Sequence, residues 1–160
     1  MMLAVSSGTM DSPRVDEIDQ AILSLLQGDA RQNTNAAISE QVSVSASTVG
    51  KRISRMEDDG IITGYLPIVD YEAVGFPIQV LFICTAAIAD REALIEETLG
   101  LEGVVNVREL MTGKRNVHIL VIGSSNSDIT RIAHELDELG YTVTDEILMR
   151  KEYHHSSAPF

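Results

Sequence analysis

Cysteine, lysine, positive charge and long apolar runs are all scarce in this chain, and each shortage excludes something. The single thiol, Cys84, rules out an intrachain disulfide framework and any cysteine-cluster metal site. It sits inside the apolar run VLFIC, where simple burial accounts for it. No apolar run is long enough to cross a membrane, and the opening MMLAVSSGTM has neither the basic flank nor the apolar length of a secretory signal. With a second start-like methionine at Met10, residues 1–14 read as a flexible leader, and residues 153–160 read as a flexible tail. The adjacent His154 and His155 lie in that polar tail and lack a fixed geometry, and His134 has no partner at ligand spacing, so no metal is expected. The expected compartment is the cytoplasm.

Positive charge is the next shortage. Twelve lysines and arginines face 24 acids, for a net charge of −12. Residues 1–64 hold nine acids and five bases, net −4, and residues 65–160 hold fifteen and seven, net −8. The acids are therefore concentrated in the second part of the chain, yet the first part still lacks the broad positive patch of a generic nucleic-acid binder. Long-range repulsion from DNA follows from such a charge.

Against that background the segment SASTVGKRISRME, Ser45 to Glu57, stands out, because it carries three of the twelve bases and only one acid, Glu57, at its far end. Ser45 is an N-cap residue, and Val49, Ile53 and Met56 recur at the i, i+4, i+7 spacing of a buried helical stripe. Other directions carry Ser47, Lys51, Arg52, Ser54 and Arg55, side chains suited to phosphates and base edges. A surface helix with a few cations is common; its surroundings make it informative. Asp16, with Asp19 three residues on, can cap a helix bearing Ile18, Ala21, Ile22, Leu25 and Leu26. Asn33, Thr34 and Asn35 form a capping cluster ahead of a shorter helix with Ala37, Ile38 and Val42, and only Ser43 and Val44 separate that helix from Ser45. Three helices at this spacing predict a helix-turn-helix whose third helix enters the major groove. Arg31, in the polar connection before the second helix, is placed either to touch phosphate or to stand solvated. After Asp59 and Gly60, the run Ile61, Ile62, Thr63 predicts a strand, as in a winged variant, so residues 15–66 read as a winged helix-turn-helix domain. Gly64 and Pro67 mark residues 61–70 as wing and exit strand, and 67–76 as a connection.

Residues 77–152 read β-α-β-β-α-β, a ferredoxin-like arrangement, which makes the whole chain α+β. Strands are expected at about 78–87, 104–111, 116–122 and 142–150. The helices are expected from about Arg91 to Leu99, with Ala93, Leu94 and Leu99 inward, and from Ser127 or Asp128 onward with a stripe of Ile129, Ile132, Ala133, Leu136 and Leu139. In the first strand Ile78, Val80, Phe82 and Cys84 lie opposite Leu81 and Ile83; in the third, Val117, Ile119 and Val121 lie opposite Leu120 and Ile122. Two helices cover one side of a four-stranded sheet, so the second apolar side predicts a face-to-face homodimer.

Taken in order, the segments VDEIDQAILSLLQGDAR, VSVSASTVGKRISRMEDDGIITGY and MTGKRNVHILVIG resemble the Lrp/AsnC, or feast/famine, family of transcription regulators from Val15 to Glu152. The resemblance implies a DNA-binding first domain and a second domain, a regulator-of-amino-acid-metabolism (RAM) domain, that dimerises through its sheet, forms higher oligomers and senses amino acids. It assigns Ser47, Thr48, Lys51, Arg52 and Arg55 to the recognition helix and Arg31 to a loop near the DNA backbone; an acid within the domain is an equal partner for Arg52. Paired helices imply pseudo-palindromic double-stranded DNA. For a small-molecule effector the matching hairpin holds Thr112, Gly113, Lys114, Arg115 and Asn116. Many relatives have aspartate at the position of Asn116, and a neutral amide holds an ammonium group only weakly. Lys114 and Arg115 suit an acidic ligand or a neighbouring carboxylate, or form a solvated turn. No cofactor and no catalytic residue are expected. The alternatives are a haem-biosynthesis decarboxylase of the same fold, which would give His118 a task, or a co-regulatory subunit of mixed oligomers. Acid excess with three lysines among twelve bases also resembles proteins of salt-loving archaea. Salt near 1 M, with a Debye length of about 3 Å, would screen both repulsion from DNA and attraction to phosphate.

Overall fold

Three side-chain caps set the first three helices. The structure, a computed structural model, describes residues 15–89 and 91–155; the leader expected over 1–14 and tail residues 156–160 lie outside them. Helix α1 (Glu17–Asp29) opens on Asp16, whose carboxylate accepts the Asp19 N–H at 2.8 Å while the Asp19 carboxylate accepts the Asp16 N–H at 3.0 Å. This reciprocal pair satisfies two backbone donors that a helix start leaves open. Thr34 caps α2 (Asn35–Val42) through the Ala37 N–H, and Ser45 caps α3 (Ala46–Asp58) through the Thr48 N–H, each at 3.2 Å. Between α2 and α3 the chain turns on Ser43 at φ 56°, a left-handed conformation that costs a non-glycine residue about 1 kcal/mol. Ile22, Ile38, Val49 and Met56 are fully buried where the three helices meet, with Ile18, Leu25, Leu26 and Ile53 packed around them.

The expected strand at Ile61 does not form, and residues 61–70 contain no strand. The N–H groups of Ile61 and Ile62 both donate to the Met56 carbonyl, at 2.8 and 3.0 Å, which folds the β-branched pair back onto the helical core. Partial burial of these two side chains, together with the absence of a pairing strand for their backbone, overrides β propensity here.

The described residues divide into two compact units, one reaching Pro67 and the other running Ile68–Tyr153. The second is built from β1 (Ile78–Thr85), α4 (Arg91–Leu99), β2 (Val104–Glu109), β3 (Val117–Gly123), α5 (Asn126–Leu139) and β4 (Thr142–Leu148). Its antiparallel sheet has the order β2-β3-β1-β4, the ferredoxin-like order. Val80, Phe82 and Cys84 of β1 and Val117, Ile119 and Val121 of β3 meet Ile129, Ile132 and Leu136 of α5 in one core. Burial pushes the Cys84 thiol up to about 12, so it is an inert apolar group at neutral pH. On the opposite side, Leu81 lies beside Leu120 and Ile147, and Ile83 beside His118 and Asp145.

Helix α4 departs from expectation. It buries Arg91 and Thr98, with Leu94 packed against the core, while Ala93 and Leu99 are exposed. The reason is polar pairing, since Arg91 meets Glu109 at 2.9 Å and the Thr98 hydroxyl reaches the Leu94 carbonyl and the buried Tyr141 hydroxyl. Strands β1, β2 and β4 end two residues earlier than expected, and β3 is displaced by one residue. Asn116, just before β3, still accepts the Leu110 N–H at 2.8 Å, and its side chain is bonded to Ala86, as described below.

Glycine is indispensable at residue 103. Gly103 has φ 95°, and a Cβ there would lie 2.8 Å from both the Ile122 carbonyl oxygen and Ile132 Cδ1. Gly103→Ala is therefore expected to lose about 2 kcal/mol of stability through strain and collision. Urea unfolding of the two proteins checks it, with a lowered midpoint and an unchanged slope as the expected result.

Candidate nucleic-acid interface

Helix α3 buries Val49 and Met56 and half-buries Ile53, which leaves Ser47, Lys51, Ser54, Arg55 and Asp58 on its outer surface. Successive residues turn by 100°, so Ser47, Lys51 and Asp58 point most directly away from the core, and Arg52 emerges at the flank of the buried stripe. At the helix start three hydroxyls gather: the Ser45 Oγ lies 2.8 Å from the Thr48 Oγ1 and 3.1 Å from the Ser47 Oγ. They surround backbone donors at the positive end of a helix, an arrangement that receives anionic oxygen.

The cations are disposed unequally. Lys51 is exposed and forms no ion pair among the described residues, and the same holds for Arg31, in the turn after α1. Arg52 instead places Nη1 2.8 Å from Asp16 Oδ2 and 2.8 Å from Asp19 Oδ1, and Arg55 places Nη2 2.5 Å from Asp19 Oδ2. The Asp19 side chain is 1% exposed, against 23% for Arg52 and 46% for Arg55. Of the two partners named above for Arg52, the structure supplies the acid within the domain. Asp19 was legible only as a helix-capping residue. The overlooked signal is that Asp16/Asp19 and Arg52/Arg55 share a three-residue spacing, which lines up two acids on one helix with two bases on another.

Burial by itself would push the Asp19 carboxyl up; the Asp16 N–H and the two guanidinium groups overcome it and hold the group at about 2. Asp16 is also lowered, first by the Asp19 N–H and then by Arg52.

In the second unit the five residues expected at an effector site lie together in the β2–β3 turn, but they face different ways. Thr112, Gly113 and Lys114 are exposed at its tip, with the Thr112 hydroxyl donating to the Lys114 carbonyl at 2.7 Å. Arg115, at φ 53°, donates its N–H to Thr85 Oγ1 at 2.8 Å and pairs its guanidinium with Asp145. Asn116 is fully buried: its Oδ1 accepts the Ala86 N–H at 2.9 Å and its Nδ2 donates to the Ala86 carbonyl at 3.0 Å. Its amide is thus committed to the fold, prolonging the β1–β3 ladder by one side-chain pair, and a carboxylate could not make both bonds.

Two predictions follow from these polar networks. A folded-state value below the ordinary 3.8 means that Asp19 adds stability above pH 4, and this stability is lost as pH falls toward 2. In Asp19→Asn that acid-dependent increment, about 2 kcal/mol, is expected to disappear, as read from urea midpoints between pH 2 and 6. Asn116→Asp sets a buried carboxylate against the Ala86 carbonyl, so its folded-state pKa rises and its penalty grows above the ordinary aspartate range. We expect a loss of about 2 kcal/mol at pH 7, partly recovered near pH 4 where a protonated carboxyl can again donate, as thermal unfolding at the two pH values would record.

Residues 15–63 match the winged helix-turn-helix DNA-binding family. The chain is 41% identical over 78 residues to the HTH-type transcriptional regulator AldR of Mycobacterium tuberculosis, a match covering 49% of this chain and 43% of AldR. To the HTH-type transcriptional regulator LrpA1 of Halobacterium salinarum it is 32% identical over 134 residues, 83% of this chain and 85% of that protein. The crystal structure of MtbAldR superposes with a TM-score of 0.75 at 27% identity, covering 91% of this chain and 100% of that one. The fold is shared, at 23% identity and a TM-score of 0.74, with NMB0573 of Neisseria meningitidis in complex with L-Met, over 91% and 96% of the two chains. These relatives are named as transcriptional regulators, and the decarboxylase alternative gains no support. No helix among the described residues is long and apolar enough to cross a membrane. The helix-turn-helix match over residues 15–63 and the 32% identity to LrpA1 across 83% of this chain and 85% of that protein show that the chain belongs to the Lrp/AsnC family of transcription regulators.

Proposed function

We propose that this protein is a cytoplasmic, sequence-specific regulator that reads pseudo-palindromic DNA as a homodimer or a larger oligomer and responds to an amino acid or a related small molecule. The observation that carries the reading is the outer surface of α3, where Ser47, Thr48 and the single free cation Lys51 stand at and just beyond a helix start rich in hydroxyls. Ser47 and Thr48 are placed for base edges and phosphate oxygens, Lys51 for phosphate, and Arg31 for the backbone on the flank. Arg52 and Arg55 hold the helix in place.

The sheet supports the homodimer part of the reading. Its face away from the helices carries Leu81, Ile122 and Ile147, the last 46% exposed, beside Ile83 and Leu120, which are already buried within the one chain. On the same face Asn106, opposite Leu120, has a buried Oδ1 without a hydrogen-bond donor. A second sheet laid on this face would cover the exposed parts of Leu81, Ile122 and Ile147 and could bring that oxygen a donor. Dimerisation would pair two α3 helices and so call for a two-fold related operator. For the effector, the exposed turn Thr112, Gly113 and Lys114 offers backbone groups and a cation, which suit the carboxylate of an amino acid. The L-Met complex of NMB0573 supports an amino-acid ligand by likeness of fold.

The test is to select genomic fragments on the full chain with and without a mixture of amino acids, then to titrate recovered sites with variants. Recovery of a shared two-fold site, with retention altered by the mixture, is the expected result. Lys51→Gln is expected to weaken every sequence alike and to flatten the plot of log affinity against log salt by about 0.9, the increment of one phosphate contact. Ser47→Ala is expected to relax preference at one base position. A folded oligomer that retains no fragment would sink the regulator reading.

A further inference from the structure

Helix α3 carries three cations, and two of them are paired with acids of α1 and its cap. Arg55 is rooted one turn beyond Lys51 on the outer surface, where a long flexible side chain would ordinarily reach for phosphate. Its guanidinium is turned inward onto Asp19, and Arg52 is held by Asp16 and Asp19 together. The two carboxylates and two guanidinium groups cancel in charge. Asp19 is equipped for this holding role by position: it is buried, each of its oxygens takes a different arginine, and Oδ2 also accepts the Asp16 N–H. Asp16 adds two contacts to Arg52 from Oδ1 and Oδ2, at 2.9 and 2.8 Å. Neither acid is required by the apolar packing of α1, which Ile18, Ile22, Leu25 and Leu26 supply.

We propose that Asp19, assisted by Asp16, is a specificity-determining residue of the DNA-reading domain: it withholds Arg52 and Arg55 from phosphate and so limits sequence-independent attachment to DNA. Sequence-independent affinity grows with the number of phosphates a protein neutralises, whereas discrimination comes from base edges. Keeping two of three helix cations internal lowers the first without touching Ser47 or Thr48. The inference rests on the DNA-binding reading above, and it extends that reading to a residue that makes no contact with DNA itself.

The experiment measures binding of the full chain to a fluorescent duplex of scrambled sequence across a series of potassium chloride concentrations. It compares the unsubstituted protein with Asp19→Asn, Asp16→Asn and the double substitution Asp19→Asn with Arg55→Gln. Circular dichroism first confirms that each is folded at the assay temperature. Asp16→Asn keeps a good N-cap while removing one charge from Arg52, so it stands in should Asp19→Asn fail to fold. Asp19→Asn is expected to bind the scrambled duplex several-fold more tightly at low salt. Its salt slope should steepen by about 0.9 for each arginine released. The double substitution should return about one such increment, and Asp16→Asn should give a smaller gain than Asp19→Asn. A loosened helix that merely fits DNA less well would bind more weakly with an unchanged or shallower slope.

Folded variants whose slope equals that of the unsubstituted protein, or a steepening that Arg55→Gln leaves intact, would overturn the proposal while leaving the regulator reading in place. If the unsubstituted protein and every variant ignore scrambled DNA and the selected fragments alike, the DNA-binding reading itself fails. If the unsubstituted protein ignores the scrambled duplex and Asp19→Asn acquires binding to it, the masking is demonstrated in its strongest form.

Discussion

A carboxylate without access to water survives only if its charge is met, and at Asp19 that requirement organises the whole first unit. Apolar contact among Ile22, Ile38, Val49 and Met56 brings the three helices together but leaves each free to roll about its own axis. The Asp19 oxygens remove that freedom, because Arg52 and Arg55 emerge on one side of α3 and can both reach one carboxylate in a single rotation of the helix. Asp19 is closed to water while both guanidinium groups are partly exposed, so releasing either arginine leaves part of a buried charge unmet and gives the internal pairing a strong claim on them. The orientation of the DNA-reading surface is therefore fixed from behind, by charge, and its hydroxyl edge is left outward.

Polar closure also finishes the second unit. Asn116 continues the β1–β3 ladder with an amide where the backbone stops, Arg115 joins the turn to Thr85 and Asp145, and Arg91 is drawn under α4 by Glu109. The result is a turn whose base is tied to β1 and β4 while its tip, residues 112–114, remains exposed. A binding loop gains from this division, since a rigid base lowers the entropy lost when the tip is ordered by a ligand.

Periodicity made most of this legible. The caps Asp16, Thr34 and Ser45, the stripe of α5 and the alternation in β1 and β3 appear in the structure where hydrophobic spacing and capping chemistry place them. Such patterns encode local geometry and one-sided burial directly. What remained hidden depends on partners distant in sequence. Arg91 reads only as the start of a helix until Glu109 is beside it, and Asn116 reads as the first residue of a strand and a candidate effector contact until Ala86 is beside it. Arg52 reads equally as a base reader or as the partner of an acid 36 residues away. The strand expected at Ile61 failed for a related reason, since β-branched residues favour a strand only when another strand is there to pair with them, and the Met56 carbonyl was nearer.

The same pairing reframes the charge balance of the chain. A net charge of −12 opposes approach to DNA, and an ordinary remedy is a helix crowded with free cations. That remedy would strengthen attachment to every sequence equally. Here the recognition helix keeps Lys51 exposed and turns its arginines inward, so one α3 surface by itself gains little from phosphate. Under the proposed function, affinity then comes from base-edge contacts and from joining two such surfaces, and linked sites of this kind act at an effective concentration of order millimolar. In the oligomer proposed above, the sheet face of Leu81, Ile83, Leu120 and Ile122 becomes part of DNA recognition, because the weaker each single helix is, the more the spacing between two of them decides which sequences are held.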